Sequence, residues 1–304
     1  GLKEAIAVCR GKRIEQARMA QPRSSRPARL RLPALAALIC GLTGAGRLFV
    51  AVPPHASRSV RAPSMRTVQT ARAAGPYGEP SGTWTLRYFD GRGVAETARM
   101  ILAVAGEEYE DFRYKFSFST PGDFSTIKRE EFDADQAAGK LDYAMGKVPL
   151  LQAGPDFQLP QSKAIERYLA GRFGLMGSTP EEAAWVDAVC EHVRDVNDAY
   201  RSKGLFGMKD EEKKAEINKK WFGEELPAFL KKLEAALPGP DGHAVGGKTS
   251  LADIVLFKLL KDTWSNQDVA ATYADCPKLN AIVATMDAHA DLKKWIEDRP
   301  KTMF

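Results

Sequence analysis

The chain has 304 residues, enough for two domains, and its hydrophobic share of 44% and charged share of 27% are ordinary for a globular protein. The formal net charge of +5 is unevenly placed, because the first 80 residues hold 14 Lys and Arg side chains but only 3 Asp and Glu. The rest of the chain holds 30 basic and 36 acidic side chains, so the basic balance does not indicate a nucleic-acid-binding protein.

Residues 1–80 are predicted to be a targeting leader, with a disordered extension as the alternative. A basic, Arg-rich start after Met19 is followed by the apolar run Leu32–Leu42 and by small residues, which is the order of a secretory signal. That run is shorter than the roughly 20 residues that span a bilayer, so no stable membrane insertion is expected. An acid-free, Arg- and Ser-rich tract then continues to Ala74. A signal followed by a transit-like tract resembles the bipartite leaders of plastids acquired by secondary endosymbiosis, so we expect plastid localisation, with the cytoplasm as the alternative.

Residues 81–175 contain the strand and helix patterns of a small α/β domain. Trp84–Tyr88 alternates as a strand, and a glycine-flanked turn leads into a helix over Ala95–Ala105, with Gly106 as its C-cap. The elements that follow in the chain are a strand over Tyr109–Phe118, a hairpin of Val148–Leu151 with Phe157–Leu159, and a helix over Ser162–Phe173.

Residues 176–304 are predicted to be all-helical. Pro180 begins a helix at the favoured first position. The predicted core face of this helix consists of Trp185, Val186, Val189, Val193 and Val196. A second helical stretch, Lys209–Leu237, contains Pro227, which is expected to kink or divide it.

The last third of this helical region carries a capping signature. Ser250 and Asp253 have the spacing of a capping box, and the apolar run Ile254–Leu260 that follows is typical of a central buried helix. One or two more helices are expected from Pro277 onward, with Trp295 packed inside.

The ordered motifs in residues 84–304 resemble the soluble glutathione transferases, specifically the sigma-like class that includes the prostaglandin D synthase type. The motifs are the strand–turn–helix of residues 84–96, the sequence Lys147-Val148-Pro149 before a short strand, and the pair Gln161-Ser162 at a helix start. The resemblance implies a thioredoxin-like α/β domain over 81–175 that binds glutathione, and an all-α domain over 176–304 that binds the second substrate. It also implies a homodimer.

Tyr88 is the candidate catalytic residue, because it stands where the family has its catalytic tyrosine. A free thiol with a pKa of about 8.5 is mostly protonated at neutral pH. A phenol O–H aimed at the sulfur, together with the amides of a helix N-terminus, stabilises the nucleophilic thiolate. The position alone also fits a half-buried strand aromatic, whereas the set of motifs favours catalysis.

The resemblance assigns glutathione binding to a second group of residues. In the α/β domain these are Gly146, Lys147, Val148, Pro149, Gln161 and Ser162. Val148–Pro149 corresponds to the family's cis proline, which would let the Val148 backbone pair with the cysteinyl part of glutathione. A proline that begins an edge strand is the alternative. Lys147 corresponds to a position near the glycyl end, and Lys140 is an alternative partner for that carboxylate.

The γ-glutamyl end of glutathione is assigned to three residues. Ser162 is a suitable N-cap, but a helix N-terminus also attracts carboxylates, and in the family the Gln161-Ser162 pair holds the γ-glutamyl carboxylate. Asp195 aligns with the family's aspartate that reaches the γ-glutamyl ammonium across the dimer. A solvated acid on a helix face is the alternative for Asp195.

Two features depart from the family pattern. Val94 occupies the position, two residues beyond Arg92, where the family often has an arginine. The segment Ser117–Met145 is longer than usual and shows no clear match to the family's tryptophan and lysine there.

The predicted function is that of a glutathione S-transferase, which activates the glutathione thiol for attack on a hydrophobic electrophile. The cysteines and histidines are scattered without metal-ligand spacing, so no metal is predicted. A thiol-disulfide oxidoreductase is disfavoured because no cysteine occupies the Tyr88 turn. The alternatives are a glutathione-dependent isomerase or peroxidase and, from another class, a non-catalytic carrier of hydrophobic ligands.

Overall fold

The structure is a computed structural model that describes residues 83–302, apart from 121–122, 155, 241 and 265–266. The predicted leader, residues 1–80, lies outside the described residues. Within the described part, no helix is long and apolar enough to cross a membrane.

The first part of the described chain is an α/β unit. Its elements in chain order are β1 (Trp84–Phe89), α1 (Glu96–Ala105), β2 (Tyr109–Tyr114), β3 (Ser117–Phe118), β4 (Ile127–Lys128), α2 (Glu130–Ala137), β5 (Leu150–Ala153), β6 (Phe157–Pro160) and α3 (Ser162–Arg172). Four strands form one sheet in the order β2-β1-β5-β6, in which β1 and β2 are parallel and the other two pairs are antiparallel. This arrangement confirms the predicted thioredoxin-like α/β class.

The alternation along β1 explains how the sheet is covered. Trp84 and Leu86 are buried, and they belong to the same core cluster as Ile101 of α1 and Ile165 of α3. A smaller cluster, built around Tyr114 and including Phe132 of α2, forms a second apolar centre in this unit.

Two predicted boundaries in the α/β unit need correction. The expected strand Tyr109–Phe118 ends at Tyr114, and the residues Ser117–Phe118 instead form a separate two-stranded ladder with β4. Helix α1 begins at Glu96 because Gly93–Ala95 forms a single 3₁₀ turn. The predicted C-cap is confirmed, since Gly106 has a φ of 60°.

The rest of the described chain is helical. Its elements are α4 (Pro180–Arg201), α5 (Glu211–Lys220), a π-helical turn (Trp221–Glu225), α6 (Leu226–Ala236), α7 (Leu251–Phe257), a second π-helical turn (Lys258–Asp262), α8 (Pro277–Asp287) and α9 (Ala290–Asp298). All residues of α7 are buried, which confirms it as the central helix. The predicted division near Pro227 is also confirmed, because the π-helical turn separates α5 from α6, and Pro227 is the second residue of α6.

Asp253 organises the start of the central helix. Its carboxylate accepts from the Ser250 backbone N–H at 2.7 Å, from the Ser250 hydroxyl at 2.7 Å and from the Ala244 N–H at 2.6 Å. This is the predicted capping box, with Ser250 as the N-cap and Asp253 three residues later.

The prediction that Trp185 belongs to the core face of α4 is wrong. Trp185 is 43% exposed, whereas Val186, Val189, Val193 and Val196 are buried together with Cys190. Trp185 lies about 100° around the helix from Val186, which takes it off the buried stripe. Trp295 is half-buried, and its indole N–H is used in a polar contact described below.

Candidate functional site

Tyr88 is the second-last residue of strand β1, directly before the first loop. Its half-buried side chain lies against the backbone of that loop. The hydroxyl oxygen accepts from the backbone N–H of Val94 at 3.4 Å. Gly93 has a φ of +44°, and a Cβ placed on it would lie 2.5 Å from the same hydroxyl oxygen. The loop therefore needs glycine at this position to pass close to the phenol. Because the phenol oxygen is an acceptor in this contact, its own proton remains to be donated to a ligand.

A pocket of about 130 Å³ lies beside Val94, the residue that donates to the Tyr88 hydroxyl, although Tyr88 itself does not line it. Its lining consists of Val94, Ala144, Lys147, Val148, Pro149, Pro160, Gln161 and Ser162. The structure thus brings five of the predicted binding residues, from two separate segments, to one pocket. Val94 connects the pocket to the Tyr88 hydroxyl, since Val94 lines the one and donates its N–H to the other.

The Val148–Pro149 peptide bond on the pocket wall is cis, as predicted. It directly precedes β5, whose register against β1 pairs Leu150 with Arg87. Arg87 directly precedes Tyr88 in β1. The pairing therefore keeps the Val148 backbone close to the strand that carries Tyr88.

The N-terminus of α3 opens on the same pocket. Gln161, with a φ of 74°, is the N-cap residue, and Ser162 is the first residue of the helix. The expectation that Ser162 is the N-cap is therefore wrong, because the left-handed backbone at Gln161 moves the helix start by one residue. Helix α3 has no side-chain cap, so its amides and the positive end of its dipole are open to a carboxylate.

A second, larger pocket of about 360 Å³ adjoins the first, and the two share Lys147 and Val148. Its other lining residues are Phe89, Arg129, Phe132, Gln136, Met145 and Gly146. This pocket accounts for the predicted residue Gly146, whose carbonyl accepts from the Gln136 Nε2 at 2.7 Å.

Arg129, Phe132 and Gln136 are site candidates that the sequence analysis missed. The Arg129 guanidinium lies 4.7 Å from the Phe132 ring centroid and pairs with Asp133 at 3.0 Å. The available signal was the acidic first turn that follows Arg129, which is typical of a helix N-terminus. Arg129 and the exposed Lys147 place two cationic side chains beside the apolar Phe89 and Phe132 of the second pocket.

Three candidate residues, Tyr88, Asp195 and Lys140, line neither pocket, and Tyr88 is connected to the first pocket through the backbone N–H of Val94. Asp195 is exposed on α4 and lies outside both linings. Lys140 pairs with Asp135 at 2.7 Å, so its ammonium is engaged within the α2 region and it lines neither pocket. Of the two lysines considered for the glycyl end, only Lys147 lines the pockets. Within the part of the chain that is described, no cluster of three His, Cys, Asp or Glu side chains could hold a metal ion.

The turn between β1 and α1 is anchored by charged groups. Arg92 Nη1 lies 2.8 Å from Asp262 Oδ1, at the end of the second π-helical turn. Burial raises the pKa of the Asp262 carboxyl, but the neighbouring cations Arg299, Lys258 and Arg92 outweigh burial and hold that pKa below its usual range. Asp262 is therefore a buried anion that holds the candidate site's first loop against the helical part.

Comparison with known proteins agrees with this geometry. Residues 84–171 match the glutathione S-transferase N-terminal domain, and residues 197–299 match the glutathione S-transferase C-terminal domain. A class-mu 28 kDa glutathione S-transferase isozyme of Schistosoma mansoni is 33% identical over 219 residues, which cover 71% of this chain and 96% of that protein.

The chain belongs to the glutathione S-transferase family.

Other relatives support a sigma-like member of the glutathione S-transferases. S-crystallin SL11 of Nototodarus sloanii is 30% identical over 225 residues, which cover 73% of this chain and 99% of that protein. The structure of the Fasciola hepatica sigma class enzyme is 27% identical and superposes with a TM-score of 0.55, covering 73% of this chain and 99% of that one. These matches confirm the predicted family, its two-part fold and the predicted enzyme class.

Proposed function

We propose that this protein binds glutathione in the two adjoining pockets and uses Tyr88 to stabilise the glutathione thiolate for attack on a hydrophobic electrophile. The observation that carries the proposal is the convergence at one pocket of Val94, which holds the Tyr88 hydroxyl, with the uncapped N-terminus of α3. The first feature suits a sulfur and the second a carboxylate, and glutathione contains both.

The orientation of glutathione follows from the charges of the two pockets. The γ-glutamyl carboxylate binds the amides of Gln161 and Ser162, where the helix dipole favours an anion. The cysteinyl backbone pairs with Val148 beside the cis peptide bond. The glycyl carboxylate points toward Lys147 and Arg129 in the second pocket. This orientation brings the thiol to the side of the pocket where Val94 meets Tyr88.

The chemistry is a substitution or addition by sulfur. The thiol loses its proton to solvent, and the Tyr88 O–H donates to the resulting thiolate. The sulfur electron pair then forms a bond to the electrophilic carbon, and the leaving group departs with the electron pair of the bond that breaks. Val94 stands where the family often has an arginine, and it has no charged side chain to place beside the sulfur. Its backbone N–H donates to the Tyr88 hydroxyl, so the phenol is the principal donor to the sulfur.

The direct test is the thiol titration of bound glutathione, followed by its ultraviolet thiolate absorbance, together with turnover of a nitrohalobenzene. We expect the bound thiol to titrate below the value of about 8.5 of a free thiol and the conjugate to accumulate. Glutathione that binds with an unshifted thiol and forms no conjugate would favour the non-catalytic carrier. Parallel assays with a hydroperoxide and with an endoperoxide substrate distinguish peroxidase and isomerase activities.

We also propose that the protein acts as a homodimer in which Asp195 reaches the γ-glutamyl ammonium of glutathione bound in the second copy. Two observations support this: Asp195 is exposed outside both pockets, and the segment 143–145 presents Tyr143 at 75% and Met145 at 79% exposure. Such apolar exposure suits a protein interface. Light scattering of the purified protein should give twice the chain mass, and Met145→Asp should give one chain mass.

We further propose that residues 1–80 direct the protein to a plastid, on the strength of the signal-like and transit-like order of their sequence. Fusion of residues 1–80 to a fluorescent protein should place fluorescence in the plastid of a host alga with secondary plastids. Uniform cytoplasmic fluorescence would contradict this localisation.

A further inference from the structure

A network of buried charges surrounds the loop that contacts Tyr88. On one side of the 3₁₀ turn Gly93–Ala95, the Arg92 guanidinium donates from Nη1 to Asp262 Oδ1 at 2.8 Å and to the Asp262 carbonyl at 3.4 Å. The Asp262 side chain is 6% exposed and the Arg92 side chain 23%, so this contact is partly buried. Arg92, the residue directly before the turn, is therefore held by the helical part of the chain.

Glu96 holds the other side of the same turn. Its side chain is fully buried, and Oε1 accepts from the Trp295 indole N–H at 2.9 Å and from Arg299 Nη1 at 2.8 Å. The second oxygen, Oε2, accepts from Arg99 Nη1 at 3.2 Å. A carboxylate buried this deeply requires such partners, and two of them come from the end of the chain.

Arg299 joins the two sides. Its Nη1 binds Glu96 Oε1, while its Nη2 binds Asp262 Oδ1 at 2.6 Å. The planar guanidinium fork can serve two carboxylates at once in a fixed geometry, which a lysine ammonium cannot reproduce. One side chain next to α9 therefore bridges the residues that anchor both ends of Gly93–Ala95.

The anchored turn determines the surroundings of the Tyr88 hydroxyl. Val94 donates its N–H to that oxygen, and Gly93 lies so close that an added Cβ would stand 2.5 Å away. A shift of the turn by a fraction of an ångström would lengthen the Val94 contact or press Gly93 against the ring. The anchors therefore act on the phenol through the turn.

We propose that Arg299 is a positioning residue for thiol activation: by bridging Glu96 and Asp262 it holds Gly93–Ala95 in the place that aims the Tyr88 hydroxyl at the sulfur of bound glutathione. Arg299 lines neither of the two described pockets, so its effect passes through the turn. The inference rests on the proposed role of Tyr88 and extends it to a residue 211 positions later in the sequence.

The competing interpretation is that the network only stabilises the fold. The two interpretations differ in the pH dependence of catalysis, because lost stability lowers the amount of folded enzyme without changing the thiol pKa of glutathione bound to the folded fraction. A displaced phenol raises that pKa, and it lowers turnover most at pH values where the thiolate is the minor form.

The experiment compares four variants by thiol titration of bound glutathione, by the pH profile of kcat and by the Kd for glutathione. Arg299→Lys keeps the charge but not the fork. Trp295→Phe removes one hydrogen bond to Glu96 and keeps a packed ring. Glu234→Gln is the matched control, because Glu234 accepts two backbone N–H bonds from the start of α8, away from the turn. Tyr88→Phe tests the role on which the inference rests.

We expect Arg299→Lys to raise the bound thiol pKa by about half to one unit and to lower kcat about three- to tenfold below that pKa, with the Kd for glutathione changed less than about threefold. Trp295→Phe should shift both quantities in the same direction by less, and Glu234→Gln should leave the thiol pKa unchanged.

The inference is overturned if Tyr88→Phe raises the thiol pKa while Arg299→Lys and Trp295→Phe leave it at the wild-type value. If Tyr88→Phe leaves it unchanged as well, the proposed role of Tyr88 fails, and with it this inference. Should Arg299→Lys not fold, Trp295→Phe decides the outcome by the same criterion.

Discussion

Gly93 and Tyr88 occupy adjoining space so closely that no side chain fits between them: a Cβ on Gly93 would lie 2.5 Å from the Tyr88 hydroxyl oxygen and 2.9 Å from a ring carbon. The glycine also has a φ of +44°, in the left-handed region that other residues adopt at a cost. Both constraints place the backbone of the first loop against the Tyr88 phenol, the proposed donor to the glutathione sulfur.

Gly93→Ala should therefore damage catalysis as well as stability. The added methyl must displace the Tyr88 hydroxyl or the Val94 N–H that it accepts from, so we expect kcat to fall about tenfold or more, together with a loss of about 1–3 kcal/mol in the free energy of unfolding. Turnover and urea unfolding measured on the same preparation check both.

Gly174→Ala is the matched control for the backbone effect. Gly174 has a φ of +71°, but nothing lies within 4 Å of an added Cβ. It should lose about 1 kcal/mol of stability and keep its turnover. If Gly93→Ala behaves like Gly174→Ala, the close approach to Tyr88 has no catalytic importance.

Arg129→Gln tests the second pocket. Because Arg129 lines this pocket beside Lys147, loss of its charge should weaken binding of the glycyl carboxylate. We expect the KM for glutathione to rise about three- to tenfold, with kcat changed less than about twofold, since the contact is the same in the ground state and the transition state. Lys219→Gln, an exposed cation on α5, serves as the control. Equal KM values for Arg129→Gln and the wild type would remove Arg129 from the site.

Asp253→Ala tests whether the capping box is structural and not catalytic. The substitution leaves three buried donors without their acceptor, so we expect a loss of about 3 kcal/mol or more in the free energy of unfolding. Ser250→Ala, which removes only the hydroxyl, should lose about 1 kcal/mol. Thermal or urea unfolding gives both values, and turnover per folded molecule should stay the same. A lower turnover of the folded fraction would contradict a purely structural role.

The buried carboxylates of Asp262 and Glu166 should change the free energy of unfolding with pH in opposite directions. The pKa of Asp262 is lower in the folded state than in the unfolded state. Its contribution to the free energy of unfolding is therefore present above the unfolded pKa of about 3.9 and is lost as the pH falls through the folded pKa. The stability advantage of the wild type over Asp262→Asn should therefore be constant near neutral pH and shrink below about pH 4.

Glu166 behaves in the opposite way. Burial raises its pKa despite the Lys163 ammonium 2.9 Å away, so the folded state favours the protonated acid. The contribution of Glu166 to the free energy of unfolding is present below its unfolded pKa of about 4.3 and is lost as the pH rises through its folded pKa. Relative to the wild type, Glu166→Gln should gain stability as the pH rises from about 4 to neutrality. Parallel slopes for Glu166→Gln and Asp262→Asn in urea unfolding would contradict these assignments.

Local sequence patterns predicted the parts of the site that depend on neighbouring residues. Tyr88 precedes a glycine turn, Pro149 precedes a short strand, and Gln161-Ser162 begins a helix, so each was recognisable from a few adjacent positions. The family resemblance then supplied what the pattern could not, namely the cis form of the Val148–Pro149 bond, which the structure contains.

The missed part of the site has a different physical origin. Helix α2 buries only Phe132, so it has no apolar periodicity from which its position over the second pocket could be inferred. Trp185 is a large aromatic next to the buried Val186, which favours a core position in the sequence, but the helical turn carries its side chain to the surface.

The polar network could not be predicted from sequence at all. Glu96 and Arg299 are 203 residues apart, and their contact depends on how the last helix packs against the first. The π-helical turn that carries Asp262 likewise has no local sequence signature of its own. Such contacts arise from tertiary packing and become visible only in the folded chain.

Whether the Tyr88 hydroxyl stabilises the thiolate of bound glutathione is measured by comparing the thiol pKa of glutathione bound to Tyr88→Phe with that of glutathione bound to the wild type. We predict that the variant binds glutathione with an affinity within about threefold of the wild type while the thiol pKa rises by about one unit or more toward that of free glutathione. An identical thiol pKa in the two proteins, at saturating glutathione, would show that the Tyr88 hydroxyl does not stabilise the bound thiolate.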